Sequence, residues 1–152
     1  MIYIADTSLD YITGYSIHVL KSVDNFAKFE KKVCLYVPKY QLTNKKIRKK
    51  FNLYNLNKIK LKNSFFENKN SFFNRILFGY TSARYAKKNN NKELIITRSM
   101  WSSIFLILFK VEHLLEIHSI SKGFSNYVLF KLNFINSKYI KKVIVINFEL
   151  IK

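Results

Sequence analysis

Short, continuous apolar runs along the chain alternate with longer stretches in which apolar residues recur at helical spacing. The runs predict buried strands at residues 1–5, 33–37, 94–96, 111–117 and 143–146. Residues 58–62 instead alternate Lys with Ile and Leu, which is typical of a half-exposed edge strand. Pro38 should end the second strand, because proline has no N–H to donate.

The segments between these strands predict helices. In residues 15–29, Ile17, Leu20, Val23 and Ala27 form an apolar stripe. Thr43 is a suitable N-cap for a short helix over residues 44–51. Further helices are predicted at residues 71–88, 100–109 and 123–136, with another beginning at Asn147, and residues 63–70 are predicted to form a loop.

This alternation of strands and helices predicts one α/β domain. Strands joined by helices are parallel, so the expected architecture is a three-layer α/β/α, doubly wound, mostly parallel sheet of Rossmann-like type. The crossovers are expected to be right-handed. The sequence has neither an internal repeat nor a composition shift that would indicate a linker.

Polar residues follow two of the predicted strands. Thr97, Arg98 and Ser99 come after one, and His118 and Ser119 after the next. Open parallel sheets bind ligands beyond the carboxyl ends of their strands, so these side chains are candidate site residues. For each of two residues a purely structural role remains open: His118 could be hydrogen-bonded only to backbone, and Arg98 could form an ion pair with a nearby acid.

Gly14 ends the polar loop after the first strand and immediately precedes the first predicted helix. It is either a simple turn residue or a position that lets a phosphate approach the helix N-terminus.

The formal net charge of the 152 residues is +18. Residues 31–62 contain no acidic residue, and Lys45, Lys46, Arg48, Lys49 and Lys50 surround the apolar Ile47 and Phe51 of the short helix. This basic helix is either a solvated face produced by a Lys-rich composition or a surface for anionic lipid. A nucleic-acid partner is disfavoured, because basic and aromatic residues are not interleaved as in known RNA-binding motifs.

Several classes of site are disfavoured because their motifs are missing. The first strand is followed by no glycine-rich dinucleotide fingerprint, and there is neither a phosphate-binding P-loop nor a Gly-x-Ser-x-Gly elbow. The three histidines do not have metal-ligand spacing, and a single cysteine, Cys34, rules out a disulfide framework. The start of the chain does not have the pattern of a secretory signal, and its longest apolar stretch, 100–109, is too short to span a bilayer.

Five segments, in order along the chain, resemble the N-terminal domain of family 4 glycosyltransferases, which have the two-domain GT-B architecture. They are Gly14-Tyr15-Ser16-Ile17-His18-Val19-Leu20-Lys21, Lys32-Val33-Cys34-Leu35-Tyr36-Val37-Pro38, Ile96-Thr97-Arg98-Ser99, Leu115-Glu116-Ile117-His118-Ser119 and Lys142-Val143-Ile144-Val145-Ile146. Together they extend over nearly the whole chain.

The resemblance implies a retaining transfer of a sugar from a nucleotide-diphosphate donor to a glycan or lipid-linked acceptor, in the cell envelope for example. By this resemblance His118 reaches the donor sugar as the catalytic residue, and Gly14 lies near the donor phosphates. Tyr15, Arg98, Ser99 and Ser119 line the cleft. No metal ion or other cofactor is expected.

The sequence departs from the family in two places. Asn147-Phe148 stands where the family often has Ser and a small residue, and the C-terminal domain with its pair of glutamates has no counterpart. The expected protein is therefore half of an enzyme, inactive alone, whose donor domain is on another polypeptide or lost. It is expected in the cytoplasm, with a peripheral contact to the inner face of the membrane. The alternatives are a non-enzymatic basic binding protein and an inactive remnant.

Overall fold

A computed structural model describes residues 1–67, 71–89, 93–118 and 124–145 of the chain. Its strands are β1 (Ile2–Ile4), β2 (Val33–Lys39), β3 (Ile59–Glu67), β4 (Ile95–Thr97), β5 (His113–Ile117) and β6 (Ile140–Val145). Its helices are α1 (Gly14–Phe29), α2 (Asn44–Phe51), α3 (Phe72–Asn89), α4 (Met100–Leu108) and α5 (Phe124–Asn126).

The described strands form a six-stranded sheet in the order β3-β2-β1-β4-β5-β6, and every pairing is parallel. The strand order reverses between β1 and β4, which is the switch point where doubly wound sheets bind ligands. The predicted three-layer α/β fold is therefore confirmed.

Two apolar cores separate the three layers, because side chains alternate across a strand. Tyr3, Leu35 and Ile96 face α1 and α2 on one side of the sheet. Ile4 and Tyr36 face α3 and α4 on the other. A third cluster packs β5 against α4 and the segment after α5.

The short basic helix forms where the sequence predicts it. Thr43 accepts a hydrogen bond from the N–H of Lys46, and Ile47 and Phe51 are the buried residues of α2. A capping box begins α1: the Thr13 hydroxyl accepts from the N–H of Ser16, whose own hydroxyl accepts from the N–H of Thr13.

Three predicted boundaries were wrong. Strand β2 continues through Pro38 to Lys39. Its pairing with β3 shifts register between Val37 and Lys39, so Pro38, which has no N–H, is left out of the pairing. Strand β3 extends to Glu67, so part of the predicted 63–70 loop is strand. The sheet's last strand begins at Ile140 rather than at 143.

The predicted helix over residues 123–136 is broken into shorter turns. Three residues of α5 lead into a π-helical turn at Tyr127–Lys131, and a separate 3₁₀ turn follows at Phe134–Asn136. Asn133, between them, has a φ of 60°, which an α-helix does not accommodate. The helix predicted from Asn147 lies outside the described residues.

Among the described helices, none has the length and apolar character needed to cross a bilayer.

Candidate functional site

Arg98 is held at the carboxyl edge of the sheet by its backbone and its side chain. Its N–H donates to the carbonyl of Ile4 at 2.9 Å, which fixes the residue beside the end of β1. Its guanidinium lies over the ring of Tyr15, 4.5 Å from the centroid, and one of its nitrogens, Nη1, is 2.9 Å from Nδ1 of His18. Because a guanidinium only donates, Nδ1 of His18 is the acceptor.

Glu116 provides the opposite charge. Strands β4 and β5 pair Thr97 with Leu115, so one residue further on Arg98 and Glu116 are neighbours. Arg98 is 8% and Glu116 7% exposed, and Nε of the arginine is 3.2 Å from Oε1 of the glutamate. The Tyr3 hydroxyl donates to Oε2 at 2.7 Å. This buried ion pair fixes the orientation of the guanidinium.

Tyrosines 3 and 15 remain protonated around this pair. Burial raises the pKa of Tyr15 to about 12, and the guanidinium of Arg98 opposes that change only in part. Burial and then the nearby charge of Glu116 raise the pKa of Tyr3 well above its usual range. Both rings are therefore neutral at physiological pH, and Tyr3 acts as a hydrogen-bond donor.

His118 completes the group from the end of β5. Its Nε2 is 3.8 Å from Oε1 of Glu116, and its ring meets that of His18 edge-on at a centroid distance of 4.6 Å. It also meets the ring of Tyr15 edge-on, at 6.4 Å. The imidazole is partly exposed, so it is accessible to a ligand in the adjoining cavity.

A cavity of about 340 Å³ opens beside these residues. Its walls come from the segment after β1, the ends of β4 and β5 and the starts of four helices, and are formed by Asp6, Tyr15, Arg75, Arg98, Ser99, Met100, Trp101, Glu116, Ile117, His118 and Ser125. Nε of Arg98 and Oε1 of Glu116 face each other in the ion pair, whereas Nη2 of Arg98 and Nε2 of His118 are buried without a hydrogen-bond partner. Buried polar atoms are nearly always bonded, so these atoms favour a polar ligand in the cavity.

His18, Glu116 and His118 also present potential metal ligands, all within 4.8 Å of one another. Arg98 already contacts two of the three, Glu116 and His18. A divalent cation would therefore lie next to a buried guanidinium, and like charges at that distance repel. The arrangement fits an anionic ligand on Arg98 better than a metal ion.

Four of the predicted site residues, Tyr15, Arg98, Ser99 and His118, line the same cavity. The side chain of Ser99 also caps α4, where it accepts from the N–H of Ser102. Ser119 lies outside the described residues.

Gly14 is the first residue of α1. Its φ is not positive, and no atom lies within 4 Å of the place a Cβ would occupy. The backbone does not need glycine here, and the open space leaves the predicted approach of a phosphate sterically possible.

The predicted basic surface is partly committed to the fold. Lys45, Lys46, Arg48 and Lys49 are exposed on α2. Lys50 is instead half-buried, and its ammonium donates to the carbonyl of Asp10.

Sequence reasoning did not select Glu116, His18, Asp6, Arg75 or Trp101 as site residues. Glu116 could have been selected from the sequence, because it lies within an apolar strand and a buried carboxylate needs a charged or hydrogen-bonding partner. The other four lie on different elements, and only the fold brings them to one edge.

A second cavity, of about 210 Å³, lies at the amino edge of the sheet between Lys32, Lys60 and Lys88. Cys34 lies there with its thiol 3.3 Å from the Tyr85 hydroxyl. Burial raises the pKa of this thiol, so it is not an activated nucleophile.

Comparisons with protein-family models, with curated proteins and with solved structures find no match to this chain.

Proposed function

We propose that this chain is the acceptor-side domain of a retaining glycosyltransferase. It contributes one wall of a cleft in which a sugar moves from a nucleotide-diphosphate donor to a glycan or lipid-linked acceptor. A donor-binding domain, on the same polypeptide or on another, supplies the rest of the site. The domain alone is expected to transfer no sugar.

The observation that carries this proposal is the buried Arg98 at the cavity wall, whose Nη2 has no hydrogen-bond partner. Glu116 and Tyr15 hold the guanidinium in place, so no reorganisation is needed when an anion arrives. The cavity lies beside β4 and β5, next to the switch point of the sheet.

Sugar transfer breaks the bond between the anomeric carbon and the diphosphate, and forms a bond to an acceptor hydroxyl oxygen. Negative charge accumulates on the departing diphosphate, and one of its phosphate oxygens takes the proton that the acceptor hydroxyl loses. Donors that are already oriented stabilise such charge best in a site shielded from water. In this proposal Arg98 stabilises the diphosphate, His118 contacts the donor sugar, and Glu116 orients Arg98.

A second candidate function is binding to an anionic membrane surface, at the inner face of the membrane. The specific observation in its favour is the exposed group Lys45, Lys46, Arg48 and Lys49 on α2, in a chain of net charge +18. It is compatible with the first function if the acceptor is carried by a lipid.

The proposal is tested by titrating the chain with pyrophosphate and with glucose 1-phosphate, using the fluorescence of Trp101, which lines the cavity and is the chain's one tryptophan. Saturable binding is expected. Arg98→Gln should weaken it on the order of tenfold or more, the usual scale for a lost charge-assisted hydrogen bond. Arg84→Gln, an exposed position on α3, should leave it unchanged. Binding that is absent, or equal in all three proteins, would refute the proposal.

A further inference from the structure

Five aromatic side chains, four of them exposed, form a continuous group at the carboxyl edge of the sheet. They lie at the starts of α3, α4 and α5 and in the turn after α5, and we call them the aromatic rim: Phe72, Phe73, Trp101, Phe124 and Tyr127. Helices that follow parallel strands begin at the carboxyl edge, so the fold brings these three starts together.

The rings of the aromatic rim pack on one another. The ring of Phe124 stacks with Trp101 at 6.1 Å and with Tyr127 at 6.3 Å. Phe72 meets both Trp101 and Phe124 edge-on, at 5.7 and 6.0 Å. The rim is therefore a preformed surface and not a set of separate exposed side chains.

Much of this surface is exposed to solvent. Phe73 is 73% and Phe124 58% exposed, and Phe72 and Tyr127 are half-exposed. Scattered exposed apolar residues are ordinary, but a contiguous aromatic group of this kind marks a binding site. Aromatic rings are also the side chains most enriched where one side of a contact is apolar and the other is wet.

The aromatic rim is continuous with the polar cavity. Trp101 belongs to both, and Ser125, next to Phe124, lines the cavity as well. Arg75 lies one turn after Phe72 on α3 and reaches the same cavity. An apolar surface therefore adjoins two arginines, Arg75 and Arg98.

We infer that the cavity and the aromatic rim together bind one anionic lipid, with its phosphate at Arg75 and its apolar chain along the rim, which leaves Arg98 to the donor diphosphate. The inference rests on the proposed function only in calling this lipid the acceptor. The partly exposed Arg75 is 3.9 Å from Asp6, a loose contact that lets it turn toward a phosphate. The high positive charge of the whole chain attracts the same headgroup from a distance.

The packing of the rings favours a lipid chain over a nucleotide base. A base needs an open ring face on which to stack. In the aromatic rim, the ring of Phe124 is engaged with both Trp101 and Tyr127. The exposed ring surface that remains, chiefly on Phe73, is apolar and fits a flexible hydrocarbon chain.

The fluorescence of Trp101 reports on this site without a label, because it is the one tryptophan of the chain. The probes are dihexanoyl phosphatidic acid below its micellar concentration, glycerol 3-phosphate, and dihexanoyl phosphatidylcholine. Phosphatidic acid should bind on the order of tenfold or more tightly than glycerol 3-phosphate, because its chains bury apolar surface on the rim. The zwitterionic phosphatidylcholine should bind on the order of tenfold more weakly, since it lacks the exposed phosphate monoester charge.

Matched surface variants separate the two halves of the site. Phe73→Ser and Phe124→Ser should reduce the affinity for phosphatidic acid toward that for glycerol 3-phosphate. Phe29→Ser, at the far end of α1 and 90% exposed, should leave it unchanged. Arg75→Gln should lower the affinity for phosphatidic acid more than the affinity for phosphatidylcholine, whereas Arg84→Gln should lower neither affinity.

Equal affinity for phosphatidic acid and glycerol 3-phosphate would overturn the inference and leave the anion site of the proposed function standing. Equal affinity for both lipids would also overturn it, because the headgroup would then not be recognised. If no phosphate compound binds, the inference and the proposed function both fail.

Discussion

At the scale of single residues, the buried pair Arg98–Glu116 decides how the cavity behaves. Each charge is buried and each is compensated mainly by the other. Removing one partner from such a pair leaves an unpaired buried charge, which is far more destabilising than losing the attraction itself.

Glu116→Gln should therefore lower the free energy of unfolding by about 3–5 kcal/mol, measured by urea denaturation. The matched control is Glu112→Gln, which breaks the exposed pair with Lys141 and should change stability by about 1 kcal/mol or less. The double variant Arg98→Met/Glu116→Leu should recover most of the lost stability, because neither charge then remains buried. A single variant as mild as the control would show that the pair is solvated.

His113 makes stability depend on pH. Its imidazole is buried on β5, between the Ser103 hydroxyl at 2.7 Å and the carbonyl of Val111 at 3.0 Å. Burial lowers its pKa below the usual 6.5. The unfolded chain therefore binds more protons near and below pH 6.5, and the unfolding free energy should fall as the pH is lowered through that range.

The check is urea unfolding of the wild type and of His113→Gln from pH 5 to 8. The variant lacks this titrating group, so its stability should fall less steeply below about pH 6.5, the usual pKa of histidine. Equal slopes in the two proteins would show that His113 is not responsible.

The sequence predicts which residues lie at the carboxyl edge of the sheet, because that depends only on the order of strands and helices. It does not predict which of them contact one another. Arg98 and His118 each follow an apolar run, and parallel strands bring such positions to one edge. The partnership of Arg98 with Glu116 depends on the register of β4 against β5, and that of Arg98 with Tyr15 and His18 on the packing of α1. No sequence pattern specifies either.

At the scale of elements, the contact between α3 and α4 requires glycine at position 79. A Cβ added there would lie 2.7 Å from Cβ and 2.8 Å from the carbonyl carbon of Trp101. The second atom is backbone, so relief would require the helices to move apart. Trp101 also lies in the cavity wall, which links this contact to the site.

Gly79→Ala should destabilise the protein by about 1–3 kcal/mol, the usual effect of overpacking, although alanine is the better helix former by about 1 kcal/mol. Gly14→Ala is the matched control, because an added Cβ there meets no atom within 4 Å. Thermal unfolding of both variants compares them directly. A Gly79→Ala protein as stable as Gly14→Ala would contradict the close approach of α3 and α4.

The basic helix α2 allows a second prediction at this scale. In liposome co-sedimentation at low salt, the chain should bind anionic vesicles and not neutral ones, with roughly 1 kcal/mol contributed by each cation near the surface. Binding should weaken at high salt. Lys45→Gln/Lys46→Gln/Lys49→Gln should reduce it more than the control Lys28→Gln/Lys31→Gln/Lys32→Gln, whose exposed positions lie in the last turn of α1 and just after it. Equal losses would indicate an effect of net charge alone.

Elements with a strong local signal were predicted best. Helix α2 has a cap and two apolar positions one turn apart, and both were read from sequence. The second half of β3 was missed, because Asn63 and Ser64 are polar and its place in the sheet depends on pairing with β2. The segment after α5 was predicted as one helix because its apolar spacing does not reveal the left-handed Asn133.

At the scale of the whole molecule, the strand order decides which edge carries the candidate site. The carboxyl edge collects Arg98, His118, the partner residues from α1 and the aromatic rim. The amino edge collects Lys32, Lys60 and Lys88 around the second cavity. Both edges can attract an anion. Binding at the carboxyl edge would indicate a specific cleft, whereas binding at the amino edge would indicate a generally basic surface.

The most direct measurement is therefore a titration of the ¹⁵N-labelled chain with a nucleotide-diphosphate sugar, followed by amide chemical shifts. We expect saturable shifts confined to the carboxyl edge, at Tyr15, His18, Arg98 and His118, and their loss in Arg98→Gln. Shifts centred on Lys32, Lys60 and Lys88, or no saturable shift at millimolar donor, would contradict it.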